Sequence, residues 1–122
     1  MTDLNKVLIM GVLVQDTELR FTPTGTKTAN LRVAIHRRYK NKAQEIKEET
    51  EFITVVVWQI LAENCAKYLK KGSRIFVEGR FKTRQYTDKN QVNQTVTEII
   101  AENVEFLDKA EEKEEPKSEE GK

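Results

Sequence analysis

The alternation of apolar and polar positions divides the chain into five strand-like runs and one helical segment. Residues 4–14, LNKVLIMGVLV, are mostly apolar with Gly11 among them. A glycine there predicts a bulge or a tight bend, as a small barrel needs. The run is expected to resume after Gln15 and Asp16 in ELRF. The following TPTG reads as a turn, with Pro23 presetting φ and Gly25 accepting a positive φ. Residues 27–37 alternate cleanly. Ala29, Leu31, Val33 and Ile35 fall on one face, and Thr28, Asn30, Arg32, Ala34 and His36 on the other. The apolar parity stops at Arg37, so the chain is expected to leave the core there as a long hairpin arm and to return near Thr50. The third run, residues 51–59, is rich in Val and Thr and has Trp58 near its end.

Residues 60–71, ILAENCAKYLKK, change period. Leu61, Cys65, Tyr68 and Leu69 recur at helical spacing, Lys70 and Lys71 suit the C-terminal dipole, and Gly72 suits the position just past the helix. Strand-like alternation returns over residues 74–86, a turn is expected at TDKNQ (87–91), and the fifth run covers residues 92–106. Three strands, a helix and two strands predict an all-β domain with one short helix. The architecture that fits is a five-stranded antiparallel barrel of the oligonucleotide/oligosaccharide-binding (OB) type, with the helix between strands three and four. An open α+β sheet with the helix on one face is the second choice. After Leu107 no apolar residue larger than Ala110 appears, so the domain is assigned to residues 1–107 and a disordered charged tail to residues 108–122.

Composition adds modest constraints. The 122 residues suit one core. No stretch approaches the roughly 20 apolar residues of a membrane span, and the N-terminal run lacks the features of a signal peptide. The single Cys65 has no internal partner, so a reducing cytoplasmic setting is expected. The net charge of +1 hides an asymmetry. Residues 108–122 hold seven acids and four lysines, leaving residues 1–107 with 17 basic against 13 acidic side chains. A mildly basic body favours a polyanionic partner.

The candidate chemistry lies on strand faces. In the fourth run Arg80, Lys82, Arg84 and Tyr86 share one face, at about 6.6 Å per pair of residues. That spacing is comparable to the phosphates of an extended single strand. In the third run Phe52 and Trp58 share the less apolar face, about 20 Å apart, while Ile53, Val55 and Val57 form the better core face. The arm begins with Arg37, Arg38, Tyr39, Lys40 and Lys42 and ends with mostly acidic residues. Basic residues interleaved with rings mark single-strand binding, because every base has a π face. A solvated, salt-bridged hairpin would need the same residues. Enzymatic readings are weaker. His36 is the only histidine, Cys65 lies on the apolar helix face, and no Gly-rich phosphate loop occurs.

In chain order, NKVLIMG, QDTELRFTPTG, ANLRVA, LAENCAKYLKKGSRIFVEGR, TRQYTD and AENVEFL resemble the bacterial single-stranded DNA-binding protein family over residues 4–107. The resemblance implies an OB barrel, a homotetramer, and wrapping of single-stranded DNA without sequence preference in replication, recombination and repair. It implies no catalytic site, metal or cofactor, and a cytoplasmic, nucleoid-associated location. By position it assigns base stacking to Tyr39, Phe52, Trp58 and Tyr86. Backbone contacts fall to Arg37, Arg38, Lys40, Arg80, Lys82 and Arg84, with Lys6 and Arg74 as further candidates. The family commonly has Trp where this chain has Tyr39 and Tyr86, and His where it has Ile53. The usual C-terminal tip, acidic with Pro and a final Phe, recruits replication and repair proteins. Here the end reads KSEEGK, so that route to protein partners is not expected. The acidic tail is expected to compete with DNA at low salt, so deleting residues 108–122 should raise affinity. The alternative function is a primosome-type barrel that bridges proteins, and an RNA-binding barrel is a third possibility.

Overall fold

The computed structural model describes residues 1–107; the tail expected from residue 108 onward lies outside the described residues. The elements are β1 (Val7–Leu13), β2 (Arg20–Phe21), β3 (Lys27–Lys40), β4 (Ile46–Trp58), α1 (Gln59–Tyr68), β5 (Arg74–Thr87) and β6 (Asn93–Phe106). The sheet order β1-β5-β6-β4-β3-β2, with β1 also pairing β3, closes a barrel of five long strands. This is the expected OB architecture, and β2 extends it as a two-residue strand on β3. Its seams are antiparallel except for β4 with β6, where Val55–Val56 run parallel to Ile99–Ile100.

Closure depends on a close backbone approach. A Cβ at Gly11 would collide with the Ala34 carbonyl oxygen and the Val33 side chain, where β1 meets β3. Gly11 therefore serves tight contact rather than the bulge or bend expected of it. The bulge lies elsewhere. Glu78 of β5 faces Asn103 of β6, yet Gly79 faces Ala101, leaving Glu102 as the extra residue. A bulge reverses which side chains face inward from that point on.

Inside the barrel, Leu31, Val33, Val55, Val57, Ile75 and Val77 are fully enclosed, as the alternation predicted. Ala62 and Cys65 from α1, with Leu69 just beyond it, plug one end of this core. The Tyr68 and Phe106 rings meet at 6.2 Å beside them. Burial pushes the Cys65 thiol up to about 12, which keeps it neutral and unreactive. The helix ends earlier than expected, with Leu69 in extended conformation as its C-cap. Gly72, expected just past the helix, instead supplies a positive φ of 94° inside the Lys70–Ser73 turn. At the other end Gln59 adopts φ 60°, turning the chain from β4 straight into α1 and fixing Trp58 at the corner.

Beyond the core, β3 and β4 continue together as the expected arm, paired as far as Lys40 with Ile46. β5 and β6 form a second arm, paired to Thr87 with Asn93. Its turn is organised by Asp88, whose carboxylate accepts the N–H groups of Asn90 and Val92 and the Gln94 amide. Those bonds hold its pKa below the ordinary carboxylate value, the Val92 N–H contributing most. Phe81 keeps core parity but is exposed, because here β5 has already left the barrel. Asn5 brackets its backbone instead, donating to the Phe81 carbonyl and accepting its N–H.

Candidate nucleic-acid interface

The outward faces of β3, β4, β6 and β5 lie side by side and form a trough of about 320 Å³. Val56 and Ile100 are its apolar lining, and Trp58 is its ring. Arg80, Lys82 and Arg84 flank it along β5. Thr28, Asn30 and Glu98 complete the lining with polar groups. Trp58 is 40% exposed, so its ring lies outside the core and is available at the trough. The alternation in β5 points the three cations outward together, because Ile75 and Val77 occupy the inward positions.

Phe52 and Tyr86 occupy the same outward parity outside the trough lining and are 51% and 46% exposed. The Arg32 guanidinium sits 5.7 Å from the Phe52 ring centroid and donates to the Thr54 hydroxyl at 3.0 Å, bracing the ring from one side. Tyr39 is placed differently. In the β3–β4 register it shares a face with Arg37, Glu49 and Ile35, opposite to the face of Phe52 and Trp58. The Arg37 guanidinium lies 4.7 Å from the Tyr39 ring and bonds Glu49 at 3.2 Å. Arg38 and Lys40 share the parity of Phe52. With Tyr39 and Ile46 they line a second, shallower recess of about 280 Å³ near the arm tip. The structure thus gathers Trp58, Arg80, Lys82 and Arg84 at one place, aligns Phe52 and Tyr86 with them, and separates Tyr39.

Lys6 and Arg74 lie outside the trough lining. Lys6 is held between Glu78 at 2.8 Å and Glu102 at 3.5 Å, and the Glu78 hydrogen bond raises its pKa. Arg74 opens β5, six residues and about 20 Å before Arg80.

Sequence reading missed Glu98. Its side chain is only 9% exposed and its Oε2 accepts from the Arg84 guanidinium at 3.1 Å. That bond, followed by the carboxylate charge, raises the Arg84 pKa further. The available signal was an acid set directly before the apolar pair Ile99–Ile100. Simple alternation counted back from the buried Val104 puts Glu98 inside the barrel. The bulge at Glu102 turns it outward.

A closed OB barrel with an aromatic and three cations on one outward face defines a candidate nucleic-acid-binding domain, and the comparisons agree. Residues 4–107 match the model of the single-strand binding protein family, and the chain belongs to that family. It is 46% identical over 105 residues to a single-stranded DNA-binding protein of Halalkalibacterium halodurans, covering 86% of this chain and 61% of that protein. It is 45% identical over 106 residues to single-stranded DNA-binding protein 3 of Clostridium acetobutylicum, covering 86% and 72%. The chain thus spans less than two thirds of the first of these relatives. Among solved structures it resembles the Plasmodium falciparum SSB complex with ssDNA, with a TM-score of 0.81 and 28% identity. That match covers 88% of this chain and 98% of the other. A deletion mutant of the single-stranded DNA binding protein from Thermus aquaticus matches with a TM-score of 0.76 and 28% identity, covering 86% and 51%.

Proposed function

We propose that this chain binds and protects single-stranded DNA without catalysis, in replication, recombination and repair. The observation that carries the reading is the trough, in which Trp58 stands beside Arg80, Lys82 and Arg84. Stacking on a ring is worth about 1–3 kcal/mol per base and tolerates any sequence. The cations neutralise phosphates and release counterions, so binding weakens as salt rises. Phe52 and Tyr86 extend the stacking track along the outward face, and Arg38 and Lys40 extend its charge into the first arm. Tyr39 and Arg37 serve a strand that wraps around that arm to its other face. Lys6 contributes least, being already neutralised by two carboxylates.

The same reading includes a homo-oligomer, a tetramer by the family resemblance, in the cytoplasm. Leu8 and Met10 support self-association, because they leave the outward face of β1 apolar and exposed, with Phe76 across from Met10.

The test is a titration with oligo-dT followed by Trp58 fluorescence at low and high salt, with duplex DNA as control. Strong quenching by the single strand, weakened by salt and absent with duplex, is expected. Trp58→Ala should lower affinity by about 1–3 kcal/mol. Absence of binding in an independent assay would overturn the reading and favour the protein-bridging barrel.

A further inference from the structure

Glu98 is a carboxylate on the path proposed for a polyanion, in the same trough lining as Arg80, Lys82 and Arg84. On β6 it lies directly across from Lys82, between Val96, which faces Arg84, and Ile100, which faces Arg80. One acid therefore stands opposite the middle of the row of three cations. Among the described residues Arg80 and Lys82 make no ion pair, whereas Arg84 bonds Glu98 at 3.1 Å. The two partners differ in burial, the Glu98 side chain being 9% exposed and that of Arg84 54%. A buried carboxylate is costly to leave unpaired. A phosphate that reaches Arg84 can share its guanidinium but cannot cheaply draw it away from Glu98. The Arg37–Glu49 pair of the first arm is the opposite case. Both of its side chains are exposed, and such a pair is worth little and opens readily.

We propose that Glu98 limits how tightly the trough grips a strand: it is a fixed counter-charge that offsets Arg84, so that three cations act on the phosphates as two and the strand is released more readily. This role rests on the single-strand function proposed above and names a residue that sets its strength. Phosphates are the same in every sequence, so the restraint falls on all strands alike and leaves stacking on the rings untouched. Its origin is repulsion between like charges, which salt screens over a distance of about 10 Å at 0.1 M. Glu98 also orients Arg84, and a neutral glutamine separates the two effects. Its amide oxygen still accepts from the guanidinium while the counter-charge is gone. Loss of that charge is tolerable for the fold, because the cation left behind is the half-exposed partner and water can solvate it.

The test is the affinity of the full chain and its variants for oligo-dT, and for a mixed-sequence strand of the same length, across a range of salt. At about 50 mM salt Glu98→Gln should bind both strands about three- to tenfold tighter than the wild type, chiefly through slower dissociation. Releasing one cation should steepen the plot of log affinity against log salt by about 0.7. The advantage should therefore shrink about two- to threefold by about 200 mM. Glu49→Gln changes the net charge equally but opens an exposed pair, and should alter affinity less than about twofold. Should Glu98→Gln fail to fold, Glu98→Met, an uncharged side chain of similar length suited to a buried site, should show the same gain. Equal or weaker binding by the neutral variant at low salt would overturn the proposal and leave single-strand binding intact. So would a gain that salt does not diminish, a gain carried wholly by faster association, or an equal gain in Glu49→Gln. Failure of the wild-type chain to bind either strand would overturn the single-strand function itself.

Discussion

The two halves of β3 and β4 contrast sharply although they belong to the same strands. From Ala29 to Ile35 and from Phe52 to Trp58, inward positions are apolar and mostly enclosed. From His36 to Lys40 and from Ile46 to Thr50, both faces are polar or half exposed, and the pairing continues on cross-strand contacts alone. These include His36 Nδ1 with the Thr50 hydroxyl at 3.1 Å and Arg37 with Glu49 at 3.2 Å. β5 and β6 repeat the contrast either side of Phe81. Backbone pairing alone therefore extends a strand beyond a core but leaves it little stability. Cross-strand side-chain pairs contribute about 0.2–1 kcal/mol each, whereas a buried aliphatic side chain contributes about 1.5–3. Rigidity belongs to the barrel and reach to the arms, and the trough lies where they join.

Truncating matched apolar residues in the two regions should give the largest difference. Leu31→Ala, in the enclosed core, should cost about 2–5 kcal/mol in denaturant unfolding. Ile46→Ala, near the arm tip, should stay within about 0.5 kcal/mol. Similar costs would mean that the arms fold as one unit with the barrel.

The next effect tests the junction. Gly79→Ala would press its Cβ against the Ile100 carbonyl oxygen at the bulge. It should destabilise by about 1–3 kcal/mol and disturb Glu98 in the trough. An unchanged melting temperature would refute the close approach. Smaller and of opposite sign, Gln59→Gly should stabilise the barrel by about 1 kcal/mol, because glycine carries no steric penalty at φ 60°.

The smallest expected effect is confined to an arm. The folded-state pKa of Asp88 is depressed, so its contribution is present above the ordinary carboxylate pKa of about 3.8 and is lost as pH falls through the lower folded value. Asp88→Asn should therefore speed amide exchange at Asn90 and Val92 at neutral pH, and the two proteins should converge in strong acid. Global unfolding should barely register it.

Much of this molecule was legible from local pattern. Strand alternation located the enclosed Leu31, Val33, Val55, Val57, Ile75 and Val77. The loss of alternation at Arg37 located the first arm, and helical spacing located α1. The outward set Arg80, Lys82, Arg84 and Tyr86 followed from a period of two within one strand. Such readings succeed because a side chain's face is set by its own backbone as long as the strand is regular.

What needed the tertiary structure depends on how strands meet. A parallel β4–β6 seam cannot be seen in either strand alone. The side of Tyr39 relative to Phe52 follows from register across the hairpin. Closure, not a bend, explains Gly11, since only the folded barrel brings the Ala34 carbonyl to it. The clearest case is Glu98, which alternation assigns to the core. One extra residue at Glu102, set by pairing with Glu78 and Gly79 on another strand, turns that carboxylate outward to Arg84 and the trough. Sequence by itself determined the elements and most of their faces. Tertiary structure decided where a face reverses, because a bulge is a property of two strands together.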